Sequence, residues 1–348
     1  MTDYEIAKRV IPEPIDNIAR KLKLPKEVII PYGFDKAKID VDKLGKLEKK
    51  GNLILVTSTS PTPYGEGKTT LTIGIHDALC KLGYSSVAVL REPSLGPVFG
   101  TKGGATGGGM SQVIPMEDIN LHFTGDIHAI TSANNLLCAV IDKELFYDNK
   151  LNLDKNRICF HRCMDINDRA LRTISLPNQE RMDHFSISTA SEMMAILCLS
   201  KDMEDLEKRL ERILIGYTYD DKPVYAKDLN CVGALKVLLK DAMKPNLVQT
   251  LEHNPVLIHG GPFANIAHGC NSIIATNLGL HCSDYVLTEA GFGSDMGALK
   301  FFDLKCRMTS LNPKLVILNT TIRGLKYHGN GVLKEGFSNL EYHNVNMK

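Results

Sequence analysis

The sequence predicts an α/β fold in which a mostly parallel β-sheet carries helices on both faces, together with a smaller helical or mixed portion. Short apolar runs alternate along the chain with Gly-rich turns and helical stretches, which is the order of elements in a parallel sheet. The runs are apolar at consecutive positions, as expected of strands that are buried on both faces. Because ligands bind at the carboxyl ends of the strands in such sheets, we expect the functional residues in the turns that follow the runs.

The elements follow one another in a regular order. The first fifty residues are polar and predict a separate, partly helical N-terminal segment. Five apolar runs predict the parallel strands: Asn52 to Thr59, Ser86 to Leu90, Pro255 to His259, Tyr285 to Thr288 and Leu315 to Leu318. Three stretches are predicted to be helical: Lys68 to Leu82, Ala129 to Phe146 and Ala190 to Ile215. The predicted division of the chain is the segment 1–50, a main region over 51–330 and a short tail over 331–348.

The composition is that of an ordinary globular protein and excludes several functional classes. The 348 residues are 43% hydrophobic and 23% charged, and 41 basic against 40 acidic side chains leave a net charge of +1. We therefore expect neither a nucleic-acid nor a membrane partner, since electrostatic binders of either carry a basic excess. No apolar stretch reaches the roughly 20 residues of a membrane-spanning helix. The start, M-T-D-Y-E-I-A-K-R, lacks the pattern of a signal peptide, and we expect a cytoplasmic protein.

The nine cysteines contain no C-x-x-C pair. Cys159 and Cys163 flank His161, but no second ligand pair at zinc-finger spacing follows them. We interpret the cysteines as buried free thiols rather than as part of a zinc site.

The strongest local motif, T-P-Y-G-E-G-K-T-T, lies between the first predicted strand and the first predicted helix. A Gly-rich turn that ends in G-K-T at this point is the phosphate-binding P-loop of P-loop NTPase-like sheets, since glycines let backbone N–H groups approach phosphate oxygens. Lys68 is expected to reach the β- and γ-phosphates of ATP, and the Thr69 hydroxyl to ligate Mg²⁺. A chance G-K-T at a helix N-terminus is the weaker alternative. The predicted nucleotide-binding residues are Thr62, Pro63, Tyr64, Gly65, Glu66, Gly67, Lys68, Thr69 and Thr70.

Two further segments are expected to face the same crevice. The second strand ends in R-E-P-S-L-G-P, which contains Arg91 and Glu92, although these two side chains could instead pair with each other or with solvent. The segment Gly100 to Met110 holds six glycines and Lys102. It is either a mobile loop or a backbone that approaches a phosphate or carboxylate. We predict a substrate loop formed by Arg91, Glu92, Lys102, Gly103 and Gly104.

Gly-rich turns also follow the last predicted strands. His259 to Gly269 reads H-G-G-P-F-A-N-I-A-H-G, and Thr288 to Gly297 reads T-E-A-G-F-G-S-D-M-G. We interpret His259 and His268 as hydrogen-bonded packing residues, which is the commoner state of a lone histidine. Gly-rich turns after several of the predicted strands predict an extended ligand crevice.

Taken together, these motifs resemble those of formate–tetrahydrofolate ligase (10-formyltetrahydrofolate synthetase). T-P-Y-G-E-G-K-T-T, R-E-P-S-L-G-P, G-T-K-G-G-A-T-G-G-G, H-G-G-P-F-A-N-I-A-H-G, T-E-A-G-F-G-S-D and T-I-R-G-L-K-Y-H-G occur in that family's order and approximate spacing. The resemblance extends to about Gly329. Thr62, which stands where P-loops usually carry their first glycine, is also the residue of the family.

The resemblance implies an enzyme that phosphorylates formate with MgATP and passes the formyl group to tetrahydrofolate. Lys68 and Mg²⁺ would hold the transferring phosphoryl group, and Arg91 would bind formate and then formyl phosphate at two points. It also implies a monovalent cation requirement and a homo-oligomer, a tetramer in the family. Lys68 and Arg91 are thus the predicted catalytic residues.

The sequence departs from the family's pattern at several positions. Met110 stands for tyrosine, Thr106 for alanine, Gly324 for alanine and Asn330 for glycine. The family's later region, which carries much of its folate pocket, is missing after Gly329, so the chain is expected to be shortened at its C-terminus. We accordingly expect it to bind MgATP, to bind tetrahydrofolate poorly and to associate through an uncovered sheet edge.

Two other functions remain open from the sequence. One is a P-loop switch protein whose ATP cycle drives dimerisation, which explains G-K-T-T but not the later Gly-rich turns. The other is a catalytically impaired relative that binds nucleotide without folate chemistry. Formate-dependent ADP release distinguishes the ligase from the switch protein, and turnover of tetrahydrofolate distinguishes it from the impaired relative.

Overall fold

The computed structural model describes residues 1–63, 65–100 and 105–329. Several predicted positions lie outside the described residues: Tyr64, Lys102, Gly103, Gly104, Asn330 and the tail 331–348. The α-helices of the described part are α1 (Asp3–Lys8), α2 (Ile15–Lys21), α3 (Lys68–Lys81), α4 (Leu95–Val98), α5 (Met116–Asn120), α6 (Asp126–Phe146), α7 (Glu192–Leu199), α8 (Met203–Glu211), α9 (Val232–Leu239), α10 (Ile273–Cys282), α11 (Arg307–Thr309) and α12 (Ile322–His328). Its strands are β1 (Ile29–Pro31), β2 (Ala37–Ile39), β3 (Asn52–Ser58), β4 (Ser86–Leu90), β5 (Gly107–Gly108), β6 (Ser111–Ile114), β7 (Leu153–Ile158), β8 (Arg162–Met164), β9 (Ile174–Leu176), β10 (Arg181–Asp183), β11 (Phe185–Ile187), β12 (Leu214–Thr218), β13 (Pro223–Tyr225), β14 (Asn246–Thr250), β15 (Pro255–Ile258), β16 (Tyr285–Glu289) and β17 (Leu315–Asn319).

The central sheet has a parallel half that contains all five predicted strands. Its strand order is β1-β2-β14-β15-β4-β16-β3-β17, and β6, paired with β5, joins it along β14. The neighbours from β15 to β17 in this order are all parallel. The predicted α/β fold with a largely parallel sheet is therefore confirmed.

Successive residues of β4 face two different helical layers, one on each side of the sheet. Val87 and Val89 of β4 belong to a core cluster with residues of α2 and α10. Ala88 and Leu90, which point to the opposite face, pack with Ile73 of α3. Helices thus cover both faces of the sheet, which explains why the parallel strands are apolar at consecutive positions.

The other half of the sheet is antiparallel and was not predicted. β14 is antiparallel to β15, β2 and β6, and β1 is antiparallel to β2. β1 and β2 come from the polar segment 1–50, for which only helical structure was expected. Lys38 explains the error, because it lies fully buried in β2 and donates to Asp126 Oδ1 at 2.6 Å and to Asn246 Oδ1 at 3.0 Å. In the sequence, a lysine that is buried in the sheet with an acidic partner cannot be distinguished from a lysine on the surface.

A second cluster of elements forms the smaller mixed portion. Helices α6, α7, α8 and α9 share one apolar core with the three-stranded sheet β13-β12-β7. In the described part of the chain, no helix is long and apolar enough to cross a membrane.

The prediction of one helix from Ala190 to Ile215 is wrong. α7 ends at Leu199, and Ser200 has extended backbone angles. Asp202 then begins α8 by accepting a hydrogen bond from Asp205 N at 2.7 Å, and residues from Leu214 onward form β12. The apolar spacing continues through the break because α7, α8 and β12 all face the same core, so periodicity alone does not reveal it.

Candidate active site

A cavity of about 660 Å³ lies at the carboxyl ends of the parallel strands. It brings together residues from the turns after β3, β4, β15 and β16, as the sequence predicted. The predicted site residues that line it are Thr62, Gly65, Glu66, Gly67, Lys68, Thr69, Thr70, Arg91 and Glu92. Pro63, which was also predicted, is exposed.

The P-loop leads from β3 into α3 in a conformation that requires glycine. Gly65 has φ +78° and Gly67 has φ +69°, values in the left-handed region that side chains other than glycine rarely adopt. Gly67 caps α3, which begins at Lys68. Backbone N–H groups at the start of a helix therefore face the cavity, where an anion is favoured.

The two polar residues that follow Gly67 contact neighbouring strands. Lys68 Nζ donates to Ser58 Oγ, at the end of β3, at 3.2 Å. Thr69 Oγ1 donates to Glu289 Oε2 at 2.8 Å, and Glu289 is buried at the end of β16. The sequence analysis missed Glu289, although an acidic residue that ends an apolar strand is a recognisable signal in Y-V-L-T-E.

Glu66 connects the P-loop to the far edge of the parallel sheet. Its carboxylate accepts from Thr62 N at 3.1 Å and from Thr321 Oγ1 at 2.6 Å, while its carbonyl accepts from Asn319 Nδ2 at 2.5 Å. A Cβ on Gly324 would lie 2.9 Å from Glu66 Oε2, so glycine at this position leaves room for the contact. Glu66 lines the cavity, but these hydrogen bonds hold its carboxylate within the loop.

Arg91 lies where three strand-end turns meet. Its Nη1 donates to Pro262 O at 3.3 Å, in the turn after β15. A Cβ on Gly291, after β16, would lie 2.8 Å from Nη1, so a larger residue there would displace the guanidinium from its present position. Gly291 N donates in turn to Gly269 O at 2.8 Å. The guanidinium is thereby held at the cavity wall by backbone rather than by a carboxylate.

Glu92 has a different environment from the arginine beside it. Its side chain is buried, and its Oε2 atom has no hydrogen-bond partner among the described residues. Burial, together with the nearby charge of Asp126, raises the pKa of Glu92 well above its usual range, although Lys38 opposes the shift. The alternative that Arg91 and Glu92 pair with each other is not seen within the described residues.

The Gly-rich segment is described from residue 105 onward. Gly107 has φ +87° and forms the short strand β5 with Gly108. Gly109 N donates to Asp3 Oδ1 at 2.8 Å, and Asp3 itself lines the cavity. Sequence reasoning missed Asp3, because nothing in the N-terminal segment indicates that it reaches this loop.

The two histidines of the turn after β15 differ. His259 is hydrogen-bonded to Ser272 Oγ and to Ala242 O, each at 2.6 Å, as expected of a packing residue. His268 is equally buried, but neither of its ring nitrogens has a partner in the described part of the chain. The expectation of a hydrogen-bonded residue is therefore wrong for His268.

A buried lysine supports the strand ends beneath the cavity. Lys305 Nζ donates to Asn271 O, Asn271 Oδ1 and Thr276 Oγ1, each at 2.8 Å. Asn271 Nδ2 donates onward to Val89 O in β4 and to Thr288 Oγ1 in β16. Arg91 directly follows β4 and Glu289 ends β16, so one network supports the strands next to both residues.

Among the described residues outside the cavity, one further group of side chains has the composition of a metal site. His161, Asp183 and His184 lie close enough together to share an ion. Asp183 is, however, engaged by Arg162 and Arg181, whose charges disfavour a cation. The nine cysteines are all free thiols, and Cys159 is exposed.

Comparisons with known proteins agree with the motifs. A family model described as formate–tetrahydrofolate ligase matches residues 1–348. A protein named formate–tetrahydrofolate ligase from Granulibacter bethesdensis is 55% identical over 368 residues, and one of the same name from Pelagibacter ubique is 54% identical over 369 residues. Each match covers 100% of this chain but only 64% and 66%, respectively, of the relative. The chain thus spans slightly less than two thirds of the length of these curated relatives.

Proposed function

Because the chain belongs to the formate–tetrahydrofolate ligase family, we propose that it ligates formate to tetrahydrofolate at the expense of ATP, giving 10-formyltetrahydrofolate through formyl phosphate. One observation carries this proposal: a P-loop with Lys68 and a guanidinium, Arg91, line the same cavity. A phosphate cradle and a carboxylate receptor in one space suit the transfer of a phosphoryl group to formate.

The nucleotide half of the site consists of the P-loop and its neighbours. Backbone N–H groups of residues 65–70 bind the phosphates, and Lys68 stabilises the charge that develops on the transferring phosphoryl group. Thr69, whose hydroxyl contacts Glu289, supplies an oxygen for Mg²⁺, and the buried Glu289 supplies the acidic group. Oxygen ligands of this kind suit Mg²⁺, which neutralises charge on the β- and γ-phosphates when bound.

The formate half of the site depends on Arg91. Two guanidinium N–H groups bind the carboxylate of formate and direct one oxygen toward the γ-phosphorus. A C–O–P linkage then forms as the bond to ADP breaks, which gives formyl phosphate. In the second step, the secondary amine N10 of tetrahydrofolate attacks the formyl carbon, inorganic phosphate leaves and the amine loses its proton. Phosphorylation is needed because formate itself is a poor acyl donor.

The proposal includes a monovalent cation. Glu92 supports it, because an unpartnered carboxylate oxygen in a buried position is the group that such an ion would neutralise. The measurement is the initial rate in K⁺ against tetramethylammonium at equal ionic strength, and equal rates would remove the cation from the proposal.

The proposal also includes a cytoplasmic location and a homo-oligomeric state, a tetramer if the family's assembly applies. Nine free thiols are compatible with a reducing compartment. Exposed apolar side chains along β17 and α12 support association between chains.

Formate-dependent ADP release tests the function directly. The chain as given, supplied with MgATP and formate, is expected to release ADP, and addition of tetrahydrofolate tests the second step separately. Lys68→Ala should lower release by at least about 100-fold, since it removes a contact to the transferring group. Lys81→Ala, on the exposed end of the same helix, is the matched control. ADP release that does not depend on formate would favour the switch protein instead.

A further inference from the structure

The N-terminal helix forms part of the cavity wall. Asp3, its first residue, lines the cavity close to Thr70 of the P-loop motif. Apolar contacts fix the helix there, because Ala7 packs with Ile114 of β6 and with Leu251. The segment 1–8 is therefore an integral part of the site rather than a separate extension.

Hydrogen bonds set the position of Asp3 precisely with respect to the Gly-rich segment. Its Oδ1 atom accepts from Gly109 N at 2.8 Å. Gln112, which is fully buried, donates through Nε2 to Asp3 O at 3.0 Å and to Gly109 O at 2.7 Å. Backbone and side chain of Asp3 are thus both held, so the direction of its carboxylate is determined.

The second carboxylate oxygen is available to a ligand. Oδ2 forms no hydrogen bond with the described residues, and a Cβ added to Gly108 would lie 3.4 Å from it. The same Cβ would lie 3.7 Å from Thr70 Oγ1, so Asp3 and Thr70 approach the cavity side by side. Lys68 and Thr69, which precede Thr70, are the residues proposed for the β- and γ-phosphates and for Mg²⁺. The side of the cavity that Thr70 and Asp3 share is therefore assigned to the rest of the nucleotide.

We propose that Asp3 binds the ribose of the nucleotide, its carboxylate accepting a hydrogen bond from a ribose hydroxyl. A carboxylate repels phosphate oxygens, whereas sugar hydroxyls are donors, and acidic side chains recognise ribose in this way in other nucleotide-binding sheets. The Gly109 N–H donates to Asp3 Oδ1, and Asp3 Oδ2 accepts the hydrogen bond from the ribose hydroxyl. The inference rests on the proposed nucleotide site, to which it adds a determinant of nucleoside specificity.

Calorimetric titration of the full chain tests the inference with three Mg²⁺-loaded probes: ATP, 2′,3′-dideoxy-ATP and tripolyphosphate. The wild-type chain is expected to prefer ATP to dideoxy-ATP by about tenfold, the effect of one hydrogen bond to a charged group. In Asp3→Ala this preference should fall to within about twofold, while the affinity for tripolyphosphate stays within about twofold of wild type. Asp3→Asn keeps the shape of the side chain without its charge and should show an intermediate preference.

Glu5→Gln is the matched control, because it removes one negative charge from the same helix at a residue outside the cavity lining. It should retain the wild-type preference. Equal weakening of all three probes in Asp3→Ala would show a structural role and overturn the inference, as would an unchanged preference for ATP. If the wild-type chain binds neither ATP nor tripolyphosphate, the proposed nucleotide site fails, and the inference fails with it.

Discussion

At the scale of single residues, the two proposed catalytic cations are held by different contacts and so have different tasks. Lys68 extends from the P-loop and contacts a strand-end hydroxyl, that of Ser58. Arg91 lies against backbone at Pro262 and Gly291, with no carboxylate partner in the described part of the chain. Its planar fork is available to an incoming carboxylate, which a point charge would bind less specifically.

Arg91→Lys should abolish formate activation and leave ATP binding nearly unchanged. An ammonium cannot make the planar two-point contact, so formate-dependent ADP release should fall by at least about 100-fold. The measurements are a coupled ADP assay and a titration with MgATP. Release at the wild-type rate would show that Arg91 has a structural role only.

His268 should make the protein sensitive to acid. Burial, with smaller effects of the Lys305 and Arg91 charges, lowers the pKa of His268 to about 3, against about 6.5 in an unfolded chain. The unfolded state therefore binds an extra proton as the pH falls below about 6.5, and the native state does not. The contribution to stability is complete above that pH and is lost toward pH 3, at about 1.4 kcal/mol per pH unit.

His268→Leu should remove this contribution. The variant's free energy of unfolding, measured in urea from pH 7 to pH 4, should decline less steeply than that of the wild type by about that slope. Stability at pH 7 should be retained, since leucine replaces a ring without hydrogen-bond partners among the described residues. Parallel stability curves for the two proteins would contradict the expectation.

At the scale of elements, the site depends on the ends of the parallel strands. Lys305 and Asn271 tie β4 to β16, and Glu66 ties the P-loop to residues that follow β17. These contacts connect strands that alternate with helices along the chain. A change in one connecting residue is therefore expected to alter the geometry at the cavity without touching a ligand.

Thr321→Val should weaken both a helix and the P-loop. The Thr321 hydroxyl donates to Glu66 Oε2 and accepts from Gly324 N at 2.9 Å, which caps α12. Its loss should cost about 1–2 kcal/mol of unfolding free energy and lower the affinity for MgATP. Thr321→Ser, which retains the hydroxyl, is the control for urea unfolding and titration. Equal affinity of the Thr321→Val and Thr321→Ser variants for MgATP would show that the contact between Thr321 and Glu66 does not support the P-loop.

At the scale of the whole molecule, the edge of the sheet at β17 is uncovered in the described part of the chain. Leu315, Val316 and Leu318 are 51%, 44% and 55% exposed, although the strand is parallel to its neighbour and of the type usually buried on both faces. Ile322, in the helix that follows, is 63% exposed. An apolar edge of this kind favours association.

Leu318→Lys should reduce self-association of the chain as given. A charge on the exposed strand opposes pairing along the edge, so the weight-average mass in sedimentation at increasing concentration should fall toward that of a monomer. Ile11→Lys, which changes an isolated exposed residue far from β17 in sequence, should leave association as in the wild type. Equal association of both variants would exclude this edge as the interface.

The sequence by itself was sufficient for features that are local along the chain. Five runs of consecutive apolar residues identified the parallel strands. The motifs G-K-T-T and R-E-P identified Lys68, Thr69 and Arg91, which lie in the turns after the first two of these strands. Each of these predictions depends on residues within about ten positions, where strand propensity, glycine and helix initiation act directly. The family's motifs could be recognised for the same reason.

Only the tertiary structure decided which distant residues complete the site. Glu289 meets Thr69 across 220 positions, Asp3 meets Gly109 across 106, and Lys38 enters the sheet by pairing with Asp126 across 88. In the sequence, Asp3 and Lys38 resemble many other charged residues, and the position of Glu289 at the end of an apolar run does not identify Thr69 as its partner. A charge gains a function or a buried position through the partner that folding brings to it, and no local pattern encodes that partner.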